Sequence, residues 1–493
     1  MRSIAITGWI CALLLTAALP ARANDSALLD VLRDKHVLTQ QEHDRLIGSE
    51  LSPAQRADLI DMLHAKGILT DDETRKLAQP GVTPGTGAQP RTAEAPKAAA
   101  PPQVGYDEGF FVRSADGNFS LKFNGRVASN FFFFEPDTVQ NDTQTIDRAR
   151  LSVDATVYKY FRMRLENDFT SSSGLRDAWI GFNYAPEFNV QIGQYKVPFS
   201  YEELLSKRYI DFVERAAVVN SAVNPSRDIG VMVYGALFKK MVQYQLAGMN
   251  GTGQNRSDNN SDKDVIARAV VAPFVASDFE HLRGFNLGGA VTYGRQARET
   301  TGTGSSLTAV RNSTAGLTET GFTFYPAVSR NGDRLRTDAH AAWIDGPFSV
   351  SGEYINTQES RTDLSGVRLP DLDTDGAYVG GTWLLTGETK PYNVRIHPTR
   401  PFLDVQNPGW GAWEAALRYE YFKLRHDRDS ATDTFTDNRY DAAVAGLNWY
   451  PNEFLRFSLN YLYGDFDVRG NGKSPNAAKH SNNAVLGRAQ LEF

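Results

Sequence analysis

From about Phe119 to Phe493 apolar and polar side chains alternate with a period of two. Phe161, Met163 and Leu165 alternate with Arg162, Arg164 and Glu166, and Trp413, Ala415, Leu417, Tyr419 and Tyr421 with Glu414, Ala416, Arg418, Glu420 and Phe422. Leu455, Phe457, Leu459, Tyr461 and Tyr463 interleave with Arg456, Ser458, Asn460, Leu462 and Gly464. Successive side chains of a strand point to opposite faces, so this period predicts β-strands. They are joined alternately by tight turns, such as Ala185-Pro186-Glu187 and Pro451-Asn452-Glu453, and by long polar loops at 250–264, 298–336, 425–439 and 466–483.

The apolar face is rich in aromatics and the polar face carries many charges. A soluble barrel would turn the apolar face inward, as half-buried sheets do. Sealing the charges in a dry interior would cost more than pairing returns. A closed barrel with its apolar face toward lipid and its charges toward a water-filled lumen avoids that cost and removes the sheet edges. At roughly 23 residues per strand and connection, 375 residues make about sixteen antiparallel strands, enough for a wet interior. The expected fold is therefore an all-β transmembrane barrel over residues 105–493, with outer-membrane lipid as its surroundings. Val485, Gly487, Ala489, Leu491 and Phe493 form one face of the last strand, and a terminal Phe there is similar to the assembly signal of outer-membrane barrels.

The N-terminal part reads differently. Arg2, the apolar run Trp9 to Leu19 and Ala21-Arg22-Ala23 form an export signal over 1–23 that would be cut before Asn24. Residues 24–79 read as helical, with a period of 31: Leu28, Asp30, Leu32, Lys35, Leu38, Thr39, Glu42 and Leu46 recur as Leu59, Asp61, Leu63, Lys66, Leu69, Thr70, Glu73 and Leu77. Each copy holds a Thr-x-x-Glu capping box, so each predicts a short helical hairpin. Such hairpins bury little alone, so this small α-helical segment is expected to self-associate or to contact the periplasm or cell wall; a flexible spacer is the alternative. Residues 80–104, with Pro80, Pro84, Pro90, Pro96, Pro101 and Pro102, predict a linker.

Composition narrows the function. The only cysteine of 493 residues, Cys11, lies inside the export signal, which excludes disulfide scaffolds and Cys-ligated metals. Without Arg2 and Arg22 the chain holds 50 basic against 58 acidic residues, and with no sustained basic tract a nucleic-acid partner is not expected. No cofactor or metal is predicted. Asp371-Leu-Asp373-Thr-Asp375-Gly376 opens like a calcium loop, but position twelve is Thr382, which favours a solvated loop. No Walker loop, nucleophile elbow or dinucleotide fingerprint is present, and the histidines show no ligand spacing.

Several segments together resemble the phosphate-selective porins of the O and P type. They are Phe123-Asn124-Gly125-Arg126, Asp147-Arg148-Ala149-Arg150-Leu151, Gly193-Gln194-Tyr195-Lys196-Val197-Pro198-Phe199-Ser200-Tyr201-Glu202 and Tyr209-Ile210-Asp211-Phe212-Val213-Glu214-Arg215. Leu385-Thr386-Gly387-Glu388, Gly411-Ala412-Trp413-Glu414 and Gly446-Leu447-Asn448-Trp449-Tyr450 continue the likeness. The resemblance implies sixteen strands, a homotrimer in the outer membrane of a Gram-negative bacterium, and a third extracellular loop, residues 198–228, folded into the lumen with a helix-compatible stretch over Glu202 to Val219. It also implies an arginine-lined path for phosphate-like anions. Arg126 and Arg215 match the family's first-strand and constriction arginines, and Arg148, Arg150, Arg162 and Arg164 are candidate rungs, because a permanently charged fork suits phosphate oxygens. Two positions depart. Glu203 stands where the phosphate-selective members carry lysine, and Arg176 where they carry an acid. Reversing one charge at ~4 Å and an effective dielectric of ~20 changes the local energy by about 4 kcal/mol, enough to abolish phosphate capture unless Arg176 compensates. Each arginine has a second reading, a wall ion pair with Glu166, Asp168 or Asp177.

The leading expectation is a passive, anion-preferring porin for phosphate, pyrophosphate or similar anions. The alternatives are a general-diffusion porin, a structural or adhesive barrel tethered by its helical segment, and an outer-membrane enzyme, for which no Ser/His/Asp-like set is visible.

Overall fold

The structure is a computed structural model that describes residues 61, 64, 101–135, 141–171, 174–223, 225–297, 329–362, 366–425, 439–467 and 481–493. The expected export signal, the helical repeat apart from Asp61 and His64, and the linker as far as residue 100 lie outside the described residues.

The chain enters its second compact unit, residues 99–493, through a hairpin of β1 (Gln103–Tyr106) and β2 (Phe110–Arg113). The hairpin takes in the last two residues of the stretch read as linker. The wall follows as β3 (Ser120–Phe134), β4 (Thr143–Val157), β5 (Phe161–Asp168), β6 (Leu175–Ala185), β7 (Phe188–Lys196), β8 (Arg227–Leu237), β9 (Val242–Met249) and β10 (Asp264–Val271). It continues with β11 (Asn286–Gln296), β12 (Ser329–Asp345), β13 (Phe348–Thr362), β14 (Arg368–Leu384), β15 (Ala412–Arg425), β16 (Arg439–Tyr450), β17 (Leu455–Asp467) and β18 (Ser481–Glu492). Each of these strands pairs antiparallel with its chain neighbour, and β18 pairs with β3 from Ala484↔Phe134 to Glu492↔Arg126. The result is a closed barrel of sixteen strands, with β1 and β2 as extra strands on β3. No described helix is long and apolar enough to cross a membrane; a closed barrel leaves no unpaired edge and needs none.

The period of two resolves into the expected faces. On β15, Glu414, Ala416, Arg418, Glu420 and Phe422 are buried inward, whereas Leu417 and Tyr419 point out with 64% and 48% exposure. Phe161, Met163 and Leu165 likewise point out. Aromatic rings cluster on the outer wall at the short-turn end, with Trp413 stacked on Trp449 at 5.6 Å, Trp449 on Phe457 at 5.5 Å and Phe348 on Trp383 at 5.8 Å. Such girdles mark the level of the bilayer interface. The hairpin and both ends of the wall lie at the end of the barrel that carries the short turns.

Closure uses the terminal residue. The Phe493 and Gly125 backbones exchange hydrogen bonds of 3.0 and 3.1 Å. A Cβ on Gly125 would lie 2.3 Å from the Phe493 ring, so the glycine of the Phe123–Arg126 motif makes room for the end of the chain.

Three boundaries differ from expectation. The loop predicted over 298–336 gives way to β12 at Ser329, because Arg334 and Arg336 are lumen-facing strand residues and a bulge between Arg330 and Arg334 breaks the alternation. Asp371 to Gly376 lies within β14 and is no loop; those carboxylates decorate a ladder paired with β13 on one side and, from Asp373, β15 on the other. The third long connection runs between Lys196 and Arg227, so it spans 197–226, and its helical stretch is two short helices, α1 (Tyr201–Leu204) and α2 (Ala217–Ala222).

Candidate pore constriction

The connection 197–226 folds into the barrel because its apolar side chains find an apolar patch on the inner wall. Phe199, Ala216, Ala217, Val218, Val219 and Val223 pack with Met232, Met249, Ile266, Ile355, Leu372, Tyr378, Phe422 and Tyr440. Phe212 and Val213 pack with Phe132, Val444, Leu462 and Leu486. Gly376 makes the approach of α2 possible, since a Cβ there would sit 2.8 Å from Val218. The loop's backbone is then satisfied by wall side chains, as buried amides and carbonyls require. Glu353 accepts the Tyr201 and Glu202 amides at 2.7 and 3.2 Å, Asn460 accepts the Val213 amide at 2.7 Å, and Arg456 donates to the Ile210 carbonyl at 2.7 Å. Glu202 accepts the Ala216 amide at 2.9 Å; burial lifts its carboxyl to about 6 against the pull of Arg418.

A second inward segment escaped the sequence analysis. The connection 385–411 between β14 and β15 lies at the end where the other turns are mostly short, and it reaches the inward loop. Lys390 bridges Asp211 and Glu414, and Asn393 Oδ1 accepts the Ser206 amide at 2.7 Å. Burial acts against the Lys390 ammonium, but Asp211 and Glu414 outweigh it and hold it above the ordinary lysine range. Its only sequence signal is the loss of period two among Pro391, Pro398, Pro401 and Pro408.

The two segments fill the β12–β18 side, the inward loop reaching also to Met232, Met249 and Ile266 on β8–β10, and a polar cavity of about 460 Å³ remains beside β3–β8. Arg126, Arg148, Arg150, Arg164, Arg176 and Arg215 line it, as does Glu203, so the structure brings together all the sequence-selected residues but one. Arg162 is exposed on the same face of β5 as Arg164, one step nearer the short turn, and does not line the cavity. Lys196, Lys207, Arg208 and Arg227 complete the lining cations and were not anticipated. Lys196 stands inside the Gly193–Glu202 motif and Lys207 two residues before Tyr209, and neither carries a spacing signal of its own.

Most of these cations are paired. Arg150 binds Asp168 and Glu166 at 2.8 and 2.9 Å, Arg164 binds Asp154 and Glu166 at 2.8 and 2.9 Å, and Arg227 binds Asp177 at 2.8 Å. Arg148 pairs with Asp147 at 3.0 Å and Arg176 with Asp168 at 3.6 Å. Arg215 meets Glu203 at 3.3 Å and donates to the carbonyls of Glu202, Glu203 and Leu205 at 3.0–3.2 Å; Lys196 holds the same turn through Glu203 and Leu205 at 2.5 and 2.8 Å. Glu203 is thus answered by Arg215, and Arg176 pairs elsewhere. Lys207 pairs with Glu214 and Asp147 at 3.0 and 3.3 Å, and burial pushes its ammonium down to about 8.

Lys196 is held by carbonyls rather than by a carboxylate, and Arg126 stands apart. Among the described residues it makes no ion pair, its Nε has no hydrogen-bond partner although it is only 4% exposed, and the charges acting on it most are those of Arg150, Arg208 and Arg148. In the β3–β4 register it stands directly opposite Arg150, a like-charge pair that destabilises a sheet by itself. With Asp147, Asp154, Asp168, Glu214 and Glu492 counted behind the lining acids, cations still lead ten to eight.

A closed sixteen-strand barrel with a lipid-compatible wall and a charged lumen narrowed by inward segments is an outer-membrane channel of the porin class. The chain matches the family described as phosphate-selective porin O and P over residues 121–493, and it belongs to that family. Among curated proteins it is 26% identical to Porin O of Pseudomonas aeruginosa over 394 residues, 73% of this chain and 86% of that one. It is 27% identical to an uncharacterized protein of Caulobacter vibrioides over 333 residues, 65% of this chain and 62% of that one. Similar solved structures include OmpT of Vibrio cholerae (TM-score 0.49, 12% identity, 76% of this chain and 98% of that one) and the anion-selective porin of Comamonas acidovorans (TM-score 0.45, 13% identity, 76% and 100%).

Proposed function

We propose that the protein is a passive, anion-preferring porin that admits phosphate, pyrophosphate or similar small anions across the outer membrane, with the cavity beside β3–β8 as the selective part of the path. The observation that carries this reading is Arg126: an unpaired, buried guanidinium facing further arginines is unfavourable alone and becomes favourable when an anion sits between the forks. Neighbouring carboxylates hold the remaining cations in place, so the ion pairs expected as an alternative serve as the frame of the site. The family description supports phosphate as the anion. The Glu203–Arg215 pair supports a second reading, a general-diffusion porin without phosphate selectivity, because it cancels one constriction charge. In the proposed assembly three copies form the functional unit, the leader 1–23 directs export, and residues 24–79 stand in the periplasm.

Single-channel current in chloride with phosphate titrated in separates the two readings. Phosphate blocks the native pore at concentrations at least tenfold lower than it blocks Arg126→Ala. Equal block of both removes Arg126 from the role, and absence of block in the native chain favours general diffusion.

A further inference from the structure

The connection 385–411 has two attachments that point in opposite directions. Toward the lumen, Asn393 lines the cavity and accepts the Ser206 amide at 2.7 Å, and Lys390 bridges Asp211 and Glu414. Toward the hairpin, Arg395, only 3% exposed, binds Glu108 at 3.3 Å, Glu492 at 3.2 Å and the Tyr106 hydroxyl. Its guanidinium lies over the rings of Tyr106 and Phe454 at 5.8 and 5.6 Å. His397 adds Glu108 at 3.5 Å and Glu453 at 2.9 Å. Tyr106 packs on Phe110 at 5.3 Å and on Phe454 at 5.5 Å, which fixes the hairpin over the start of β17.

Asn393 and Arg395 are two residues apart. Two residues reach at most ~7 Å when fully extended, so little slack separates the hairpin clasp from the cavity wall. The hairpin is also held to the barrel by a contact independent of this segment, Lys122 on β3 with Asp107 at 3.8 Å. It is therefore possible to loosen the hairpin with and without touching the clasp.

We propose that the N-terminal hairpin sets the bore of the anion path through the connection 385–411, with Arg395 as the positioning residue that transmits the hairpin's place to Asn393 and Ser206. The proposal rests on the cavity being the path, as argued above. Its consequence is that the chain entering at Gln103 has a mechanical route to the constriction: displacement of β1 withdraws Glu108 and Tyr106 from Arg395 and moves the wall of the cavity.

The test uses the full chain in planar bilayers, with folding monitored by the heat-dependent migration of the barrel on gels. Arg395→Met changes single-channel conductance at least twofold and raises open-channel current noise. Glu108→Gln, a hairpin substitution outside the barrel wall, shifts both in the same direction by a smaller factor and adds nothing in the double variant. Asp107→Asn leaves both at native values. Native conductance and noise in Arg395→Met and Glu108→Gln overturn the proposal, and so does an Asp107→Asn effect as large as that of Glu108→Gln, because any loosening of the hairpin would then suffice. The anion path itself is read separately: if Arg126→Ala keeps the native phosphate block while Arg395→Met changes conductance, the coupling stands and the assignment of the anion site fails.

Discussion

The inner walls of β3–β8 and β12–β18 are built from the same alternation and carry similar polar residues, yet they use them for opposite ends. On β12–β18 the inward Glu353, Glu414, Arg456 and Asn460 are spent on the backbone and charges of the two segments that fold against them. On β3–β8 the inward loop touches the wall only at points such as Phe132, Asp147, Lys196 and Met232, and between them arginines and carboxylates pair sideways along the sheet and leave Arg126 over. In the proposed function the selective part of the path runs along β3–β8, and the segments packed on β12–β18 decide how much room it has.

The sharpest break of this comparison is one cation removed from each wall. Lys390→Met leaves Glu414 fully buried and Asp211 without its partner, at a cost of about 3 kcal/mol or more. Arg164→Met exposes Asp154 to lumen water and leaves Glu166 and Asp177 to Arg150 and Arg227, so it costs about 1 kcal/mol at most. Urea midpoints in detergent are expected to fall clearly for the first and barely for the second. Equal shifts would mean that the covered wall is no drier than the open one.

How far each wall could be read from sequence follows the range of its contacts. Most strands carry their own period-two signal, the starts of β12 and β14 being exceptions, so the barrel and the faces of β5, β15 and β17 are legible locally. The pairs on the open wall were nearly so: the turn Tyr158–Tyr160 sets Val157 opposite Phe161, and counting back from it places Asp154 opposite Arg164 and Arg150 opposite Asp168. The covered wall was not. Lys390 meets Asp211 across 179 positions and Asn393 meets Ser206 across 187, and no local pattern announces either contact. The inward loop is legible in the chain, but the carbonyls of Glu202, Glu203 and Leu205 that hold Arg215 are not, because they depend on how the loop turns back on itself.

A smaller effect sharpens the account of the open wall. Glu203→Gln keeps the side-chain volume and removes the negative charge beside Arg215, while Arg215 remains held by its three carbonyls. The freed charge is expected to tighten phosphate block by roughly tenfold, about 1.4 kcal/mol. Unchanged block would show that Arg215 acts only as a clamp on the loop and contributes nothing to the surplus charge.

The smallest expected effect concerns pH. Lys207 loses its proton in the folded protein near pH 8, below the ordinary lysine range, because burial penalises the ammonium more than Glu214 and Asp147 restore it. Below pH 7 the side chain is charged and offsets Glu214; as pH rises through 8 the charge is lost and the carboxylates beside the cavity remain. The direction is therefore toward weaker anion preference in alkali. Reversal potentials in a potassium chloride gradient, where neither ion titrates, should show the chloride-to-potassium permeability ratio falling by less than threefold between pH 7 and 9. Lys207→Met should start at the lower ratio and stay flat over the same range, since arginines keep their charge throughout. A pH step that survives in Lys207→Met would assign it to another group and remove Lys207 from this role.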